Sequence, residues 1–533
     1  MKKNITLKLL PEEAYNDTSL KEILATTLSV PKNSVSGWNI LKRSIDARGK
    51  TIWVNISLLV FINEPYEVRP KMHFHFKNVS ESKKKVIIIG GGPAGLFAAI
   101  YLIQMGIKPI ILERGKDVRS RRRDLALLNK EGILNTESNY CFGEGGAGTY
   151  SDGKLYTRSK KRGDIERILN LFVHFGADEN ILYESHPHIG TNKLPSIIAS
   201  IREMILLYGG KFEFNKKVVD LKIEKDIITS VQTEDGDEFS GDHFISATGH
   251  SAGDIYELLH SKKVLLFAKP FALGVRIEHP QDMIDHIQYY GGSRNVLPPA
   301  SYSLVQQIGN KGVFSFCMCP GGIIAPASTS ARELVVNGWS PSKRNNPFAN
   351  SGIVVQVEEK DVLQYFTSIE RNTINKDPLL LYKFQKHIEQ IAYKSGGGSY
   401  RAPAQRMVDF VNNKISGSLP VCSYKPGLTS VNMRSVLPNF ISNPLSEAFK
   451  IFGKKMAPRT AGSGFLTNEA VIVGVESRTS SSVKIPRNEH TLNHPQLKNF
   501  FPCGEGAGFA GGIVSAAMDG EKVANIISKI LHS

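Results

Sequence analysis

Cysteine is scarce in this chain, five residues among 533. So few thiols, and an odd number of them, exclude a disulfide framework and point to a reducing, cytoplasmic compartment. Acidic residues are outnumbered, 50 Asp+Glu against 66 Lys+Arg, for a formal charge of +16. That balance favours anionic ligands or partners without naming one. Long uninterrupted apolar runs are also missing. The N-terminus, MKKNITLKLLPEE, starts like a secretory signal, but Lys8 breaks its apolar run and acidic residues follow. Residues 86–107 carry no charge and are long enough to cross a bilayer. Yet Gly90, Gly91, Gly92, Pro93 and Gly95 near the start of that stretch end a strand and open a helix, so no membrane span is expected. Internal repeats and low-complexity tracts are absent. What remains, 41% hydrophobic and 22% charged residues, is the composition of a globular protein. A chain of this length exceeds a single core, so two or three domains are expected.

Residues 1–80 read as strand, helix, strand, strand: a small α+β module, ferredoxin-like in pattern. Ile5 to Leu10 and the β-branched run Thr51 to Ile62 suit strands, and Ser19 to Leu28 has helical apolar spacing. The Lys-rich stretch Asn78 to Lys85 reads as a linker. Residues 84–260 and 490–533 then read as two parts of one discontinuous α/β domain of Rossmann type. Residues 261–489 form an inserted mixed α+β substrate domain, with a helix over Pro378 to Ala392.

The strongest signal is VIIIGGGPAGLFAAIYLIQMGIKPIILERG. Val86 to Ile89 has the continuous apolar character of a strand buried on both faces. Gly90, Gly92 and Gly95 fill G-x-G-x-x-G, for the tight turn, the approach of a pyrophosphate and close helix packing in that order. Pro93 and Ala94 begin the helix whose unpaired N–H groups face the phosphates. The next strand ends in Glu113 and Arg114, where a carboxylate can accept from ribose hydroxyls. Triplet, strands, helix and terminal acid together identify a dinucleotide site. No second such fingerprint follows a strand, so no separate nicotinamide domain is expected, and NAD(P)H would dock only transiently as an electron donor.

Two distant segments bear on which dinucleotide. NFFPCGEGAGFAGGIVSAAMDG places an apolar strand before Gly504 and Glu505, then enters a helix through Gly511, Gly512 and Ile513. This resembles flavoproteins of the glutathione-reductase and hydroxybenzoate-hydroxylase type. There the acid holds the ribityl chain of FAD and the helix N-terminus stabilises reduced flavin. Phe244 to Gly249, with Ala247, Thr248 and Gly249, resembles their strand-turn beside the pyrophosphate, and Val218 the position whose backbone meets adenine. The whole chain is similar to the bacterial FAD-dependent dehydrogenases, NAD(P)/FAD-dependent oxidoreductases of about this length. The motifs that carry the resemblance are RSIDAR (43–48), FGEGGAGTYSDGKLYTR (142–158), HPHIGTNKL (186–194), FCMCPGG (316–322), NPFANSGIVV (346–355), APAQRMVDF (402–410) and GVESRTSS (474–481). The resemblance implies flavin-dependent redox chemistry on a small-molecule substrate and supplies no assigned reaction.

Within FGEGGAGTYSDGKL, residues 148–154 match seven positions of a P-loop, but Leu155 stands where a magnesium-binding hydroxyl is required. Nucleotide hydrolysis is excluded on that ground. Gly145, Gly146, Ala147, Gly148 and Ser151 instead suit a nest of backbone N–H groups beside the pyrophosphate. Cys141 lacks a partner four or five residues away, against a glutathione-reductase-like disulfide. Cys317 and Cys319 are either a redox pair or two buried thiols sharing a strand face; Cys319 is the catalytic candidate of the two. No metal site is expected. Arg478 suits a carboxylate anchor, or a structural partner of Glu476. Gln405 and Arg406 are expected in a loop, near substrate or as capping groups. His186, His188 and His250 are candidate proton donors. The leading reading is an FAD-dependent oxidoreductase passing hydride at flavin N5. The alternative is a flavoprotein acting on RNA through Lys42, Arg43, Arg48 and the Lys160-Lys161-Arg162 run. The oligomeric state is not legible.

Overall fold

The computed structural model describes residues 1–157, 163–290, 294, 296–366, 377–458 and 464–533. The Lys160-Lys161-Arg162 run and Arg158 lie outside the described residues.

The first module has three antiparallel strands, Lys2–Leu9, Val35–Asp46 and Trp53–Ile62, with the last in the middle. Burial alternates along Trp53–Ile62, as period-two patterning dictates. Its inward Val54, Ile56, Leu58 and Val60 pack on Leu20 and Leu24 of the helix Asp17–Leu28. The helix starts before Ser19 because the Asn16 side chain accepts from the Thr18 and Ser19 N–H groups. The arrangement is β-α-β-β, with a four-residue helical turn ahead of the main helix. The stretch that follows is tied down: Val79 is buried and its N–H donates to the Tyr208 carbonyl at 2.8 Å.

The central sheet is parallel, in the order Phe500–Pro502, His243–Ser246, Lys85–Ile89, Lys108–Leu112, Lys211–Glu213. The chain leaves this sheet after residue 246 and returns at 500, so one sheet is built from two distant parts of the sequence. Ile87 packs to one side and Ile88 to the other, each fully buried. Such a strand reads as a continuous apolar run because both its faces are covered. On one face lie the helices Pro93–Met105 and Ile513–His532, in very close contact. A Cβ at Gly520 would stand 2.1 Å from the Ala94 carbonyl oxygen, so the crossing exists only because position 520 has no side chain.

The intervening chain forms a seven-stranded mixed sheet, order Val305–Ile308, Lys311–Cys319, Phe348–Val357, Phe271–Pro280, Val471–Glu476, Ala402–Arg406, Leu428–Ser430. The helices Leu380–Ser395 and Asn439–Lys455 contribute to its core through Phe384, Ile388, Leu445 and Phe449. Gln405 and Arg406, expected in a loop, are on a strand paired with Val471–Glu476. No local β signal marks APAQR; its pairing is decided by the neighbouring strand. Among the described residues, no helix is long and apolar enough to cross a membrane.

Candidate active site

The loops at the carboxyl ends of the central strands surround a cavity of about 400 Å³. Four separated stretches of sequence, with Val218, meet there. Gly90, Gly92, Pro93, Ala94, Glu113 and Arg114 line it from the fingerprint unit; Gly146, Ala147, Gly148 and Ser151 come from the glycine-rich loop. Ala247, Thr248 and Gly249 form a third wall with Val218, and Gly504, Glu505, Gly511, Gly512 and Ile513 close the ring. Two helix N-termini, at Pro93 and Ile513, open onto the same space. Each offers unpaired N–H groups and a partial positive charge to an anion.

Gly90 has φ +109°, and a Cβ there would stand 2.4 Å from the Ala247 carbonyl oxygen. Gly95 does not line the cavity. Its bare Cα lets the helix sit on the preceding turn, since a Cβ would come within 2.1 Å of the Gly90 oxygen. Gly145 is likewise behind the wall, its N–H donating to the Gly91 carbonyl at 2.9 Å.

Glu113 is the keystone of the loops. Its Oε2 accepts from Gly91 N–H at 2.8 Å, and its Oε1 from Gly115 and Gly143 N–H, both at 2.9 Å. A carboxylate has about four acceptor positions, so one remains for a ribose hydroxyl. Arg114 lines the cavity but is committed to Glu137 and Asp254, at 2.6 and 2.9 Å, and lies over the Phe142 ring. Arg121, fully buried, holds the glycine-rich loop by donating to the carbonyls of Asn139, Tyr140 and Glu144. Gly504 is positioned in turn by Asp519, whose carboxylate accepts its N–H at 2.8 Å and pairs with Arg487.

Two polar groups in the walls test what the cavity suits. The Thr248 hydroxyl is buried and has no hydrogen-bond partner. Enclosure pushes the Glu505 carboxyl up to about 8, with Lys269 opposing the shift. A buried hydroxyl without a partner is costly unless a ligand supplies one, and an enclosed carboxyl gains from a hydrogen-bonding ligand. A polyhydroxylated, phosphate-bearing dinucleotide supplies both, and the donor set fits FAD.

Comparison with known proteins agrees. Residues 83–128 match the model of an FAD binding domain, and 270–479 that of the C-terminal domain of an FAD-dependent protein. Residues 1–61 match a domain of unknown function. An uncharacterised protein of Clostridium beijerinckii is 38% identical over 531 residues, 96% of each chain. The chain belongs to its family, a family of bacterial FAD-dependent proteins. This flavoprotein, an oxidoreductase with FAD as cofactor, is also 55% identical to bacilliredoxin reductase Bdr of Bacillus subtilis over 38 residues, 7% of this chain and 12% of that one. Among solved structures, a flavoprotein/dehydrogenase from Cytophaga hutchinsonii overlays with TM-score 0.34 at 12% identity, over 84% of this chain and 79% of that one. The 2,6-dihydroxypyridine-3-hydroxylase of Arthrobacter nicotinovorans gives 0.34 at 10%, over 84% of each.

The substrate-side expectations fare differently. Arg478 reaches the cavity wall, but its guanidinium is engaged: Nε and Nη2 donate to Glu389 at 3.1 and 2.8 Å, and Nη1 to the Thr329 hydroxyl at 2.6 Å. It is a structural cation, paired with Glu389 and not with Glu476. Glu476 instead pairs with the buried Arg276 at 2.8 Å, and burial pushes its carboxyl up to about 7. Gln405 is fully buried away from the cavity, donating to the Lys414 carbonyl and accepting from Met433 N–H. Its amide does not reach the cavity, where a group acting on substrate would have to be. Cys319 is also buried behind the wall; of this pair it is Cys317 that lines the cavity, as Cys141 and Cys503 do elsewhere in it. Strict strand alternation misled here, because a bulge interrupts the register between Phe316 and Cys319.

His250 lines the cavity with its Nδ1 against the Ser251 hydroxyl at 2.7 Å, and burial pushes it down to about 4. His188 contacts the Ser342 carbonyl, and His186 packs on Tyr156. Arg43, read as a contact for an anionic partner, is bound to Glu184 and packed over the rings of Tyr15 and Tyr183. It joins the first module to the main body. Arg48 is paired with Asp46. Sequence reasoning missed Asp152, Lys154 and Asn337 in the cavity wall. For Lys154 the signal was present: it is the lysine of the failed P-loop match.

Proposed function

We propose that the cavity holds FAD, extended from the Gly90–Gly95 turn toward Glu505 and the Ile513 helix, and that the protein is a dehydrogenase. FAD bound there supplies two-electron chemistry, hydride being taken up or released at N5. The chain's residues do the rest. The N–H groups of Gly92, Ala94, Ala147 and Gly148 would receive the pyrophosphate charge. Glu113 would take a ribose hydroxyl on its free acceptor position, and Thr248 and Glu505 would pair with the remaining hydroxyls. The first turn of the helix Ile513–His532 would place a partial positive charge where reduced flavin gathers negative charge. Asp519 and Arg487 hold that corner, and Arg478 with Glu389 braces the wall facing the inserted sheet.

The observation that carries this reading is the convergence of four distant segments on one cavity whose buried Thr248 hydroxyl lacks a partner. A small organic molecule, or NAD(P)H docking transiently, would exchange hydride with the flavin. Purification, a visible spectrum and anaerobic titration with NADH and with NADPH test the proposal. A yellow protein bleached by a nicotinamide or an organic donor is the expected result. A protein that stays colourless after incubation with FAD would refute it.

A further inference from the structure

Cys317, Met318 and Cys319 end the strand Lys311–Cys319, beside the cavity. Phe316 pairs with Gly352 and Cys319 with Asn350, so three steps on this strand match two on its neighbour. The extra residue bends the chain, and Cys317 has φ +47°, a left-handed conformation rare outside glycine. The bend does what a flat strand does not: it turns Cys317 to the cavity while both sulfurs stay beside the same Lys154 ammonium. Cys319 Sγ also lies 3.2 Å from the Cys317 carbonyl.

Cations surround the pair. Lys154 Nζ is 3.8 Å from Cys317 Sγ and 3.9 Å from Cys319 Sγ, and it donates to the Met318 carbonyl. Arg276 Nη2 is 3.9 Å from Cys319 Sγ and donates to the Cys317 carbonyl at 2.7 Å. The carboxylates nearby are otherwise engaged: Asp152 with Arg344 at 2.6 Å and Glu476 with Arg276 at 2.8 Å, leaving Lys154 3.7 Å from Asp152. Two inert apolar thiols would need no lysine. The neighbouring Cys319 thiol and the two cations hold the Cys317 thiol well below its ordinary range, against its burial. The neighbouring Cys317 and burial hold Cys319 up as the thiol, and that thiol donates to the Cys317 carbonyl.

We propose that Cys317 and Cys319 are a redox-active dithiol, with Cys317 the attacking sulfur facing the cavity and Cys319 the resolving one, that exchanges with a small-molecule disulfide. The Cys317 thiolate attacks one sulfur of the disulfide, forming a mixed disulfide and releasing one thiolate. Cys319 then gives up its proton and attacks Cys317 Sγ, which closes the Cys317–Cys319 bond and releases the second thiol. One disulfide is reduced to two thiols and one protein dithiol is oxidised. Lys154 is the positioning residue that keeps the attacking sulfur ionised. With FAD bound in the cavity that Cys317 lines, FADH2 would supply the two electrons and two protons that return the protein disulfide to the dithiol, becoming FAD. That last link rests on the FAD reading above; the exchange does not.

The test uses the holoprotein in glutathione buffers of graded thiol/disulfide ratio, quenched with N-ethylmaleimide, unfolded, digested with trypsin and mapped by mass spectrometry. Cleavage after Lys311 and Arg332 isolates Cys317 and Cys319 on one peptide with no other cysteine. In oxidising buffer that peptide is expected to lose both adducts and two hydrogens, reversibly, while Cys141, Cys422 and Cys503 remain alkylated. Cys319→Ser should trap glutathione on Cys317, and Lys154→Met should slow alkylation of Cys317 at neutral pH at least tenfold. A peptide that keeps both adducts at every ratio overturns the proposal, and so does a Lys154→Met protein that alkylates at the wild-type rate. The visible spectrum of the same samples separates the two readings: colourless protein with a reversible disulfide removes only FAD, and yellow protein with unchanging thiols removes only the couple.

Discussion

Replacing Glu113 by Gln tests the claim that one carboxylate fastens three loops together. The change keeps shape and volume and removes one acceptor oxygen. Whichever way the amide is turned, it presents an NH2 to at least one of the Gly91, Gly115 and Gly143 N–H groups. Glu113 is only 4% exposed, so water does not replace what is lost. A hydrogen bond to a charged group contributes about 1.5–3 kcal/mol, and leaving its buried partner unpaired costs about 1–3 kcal/mol. Losing one bond outright and the charge from the others makes roughly 2–4 kcal/mol of local destabilisation. At 1.4 kcal/mol per factor of ten, amide exchange should accelerate roughly 30- to 1000-fold in peptides spanning 90–95, 113–116 and 142–146, where opening is local. Hydrogen exchange read by mass spectrometry on protein without added flavin measures this directly. Exchange in the distant strand Trp53–Ile62 should be unchanged. Unaltered protection in all three loops would refute the bonding pattern, whatever happens to flavin affinity.

Gly95→Ala should yield colourless protein, because the new Cβ would lie 2.1 Å from the Gly90 oxygen and lift the helix off its turn; retained absorbance near wild-type level would contradict this. Arg478→Ala should destabilise by about 3–5 kcal/mol, since it strands the Glu389 carboxylate, and Arg478→Met with Glu389→Gln should recover much of that loss. Urea midpoints decide the point, and a variant with normal stability and altered substrate KM alone would restore the anchor role. The raised Glu505 carboxyl binds more protons folded than unfolded between about 4.5 and about 8. Its contribution to stability is therefore full below that window and is lost as pH rises through it. Glu505→Gln should flatten this part of the pH–stability profile of the flavin-free protein; an unchanged slope would show that Glu505 does not titrate there.

The sequence by itself determined the fingerprint unit, because the requirements of G-x-G-x-x-G are local: a positive φ at Gly90 and bare Cα atoms where backbone meets backbone. It also determined the strands and helices with clean periodicity, such as Trp53–Ile62, whose burial follows the alternation of its residues. The two-part sheet was legible too, since both strand-glycine-helix units carry their own signals. Tertiary structure alone decided the partners of the charged and sulfur-bearing side chains. Arg478 and Glu389, and Gln405 and Met433, meet only after the seven-stranded sheet has formed. Propensity and periodicity hold no information about which distant group a side chain will face. The cysteines show the limit most plainly. C-x-C on an ideal strand puts both sulfurs on one face, whereas a single extra residue, set by pairing with Phe348–Val357, buries Cys319, turns Cys317 to the cavity and brings Lys154 to both.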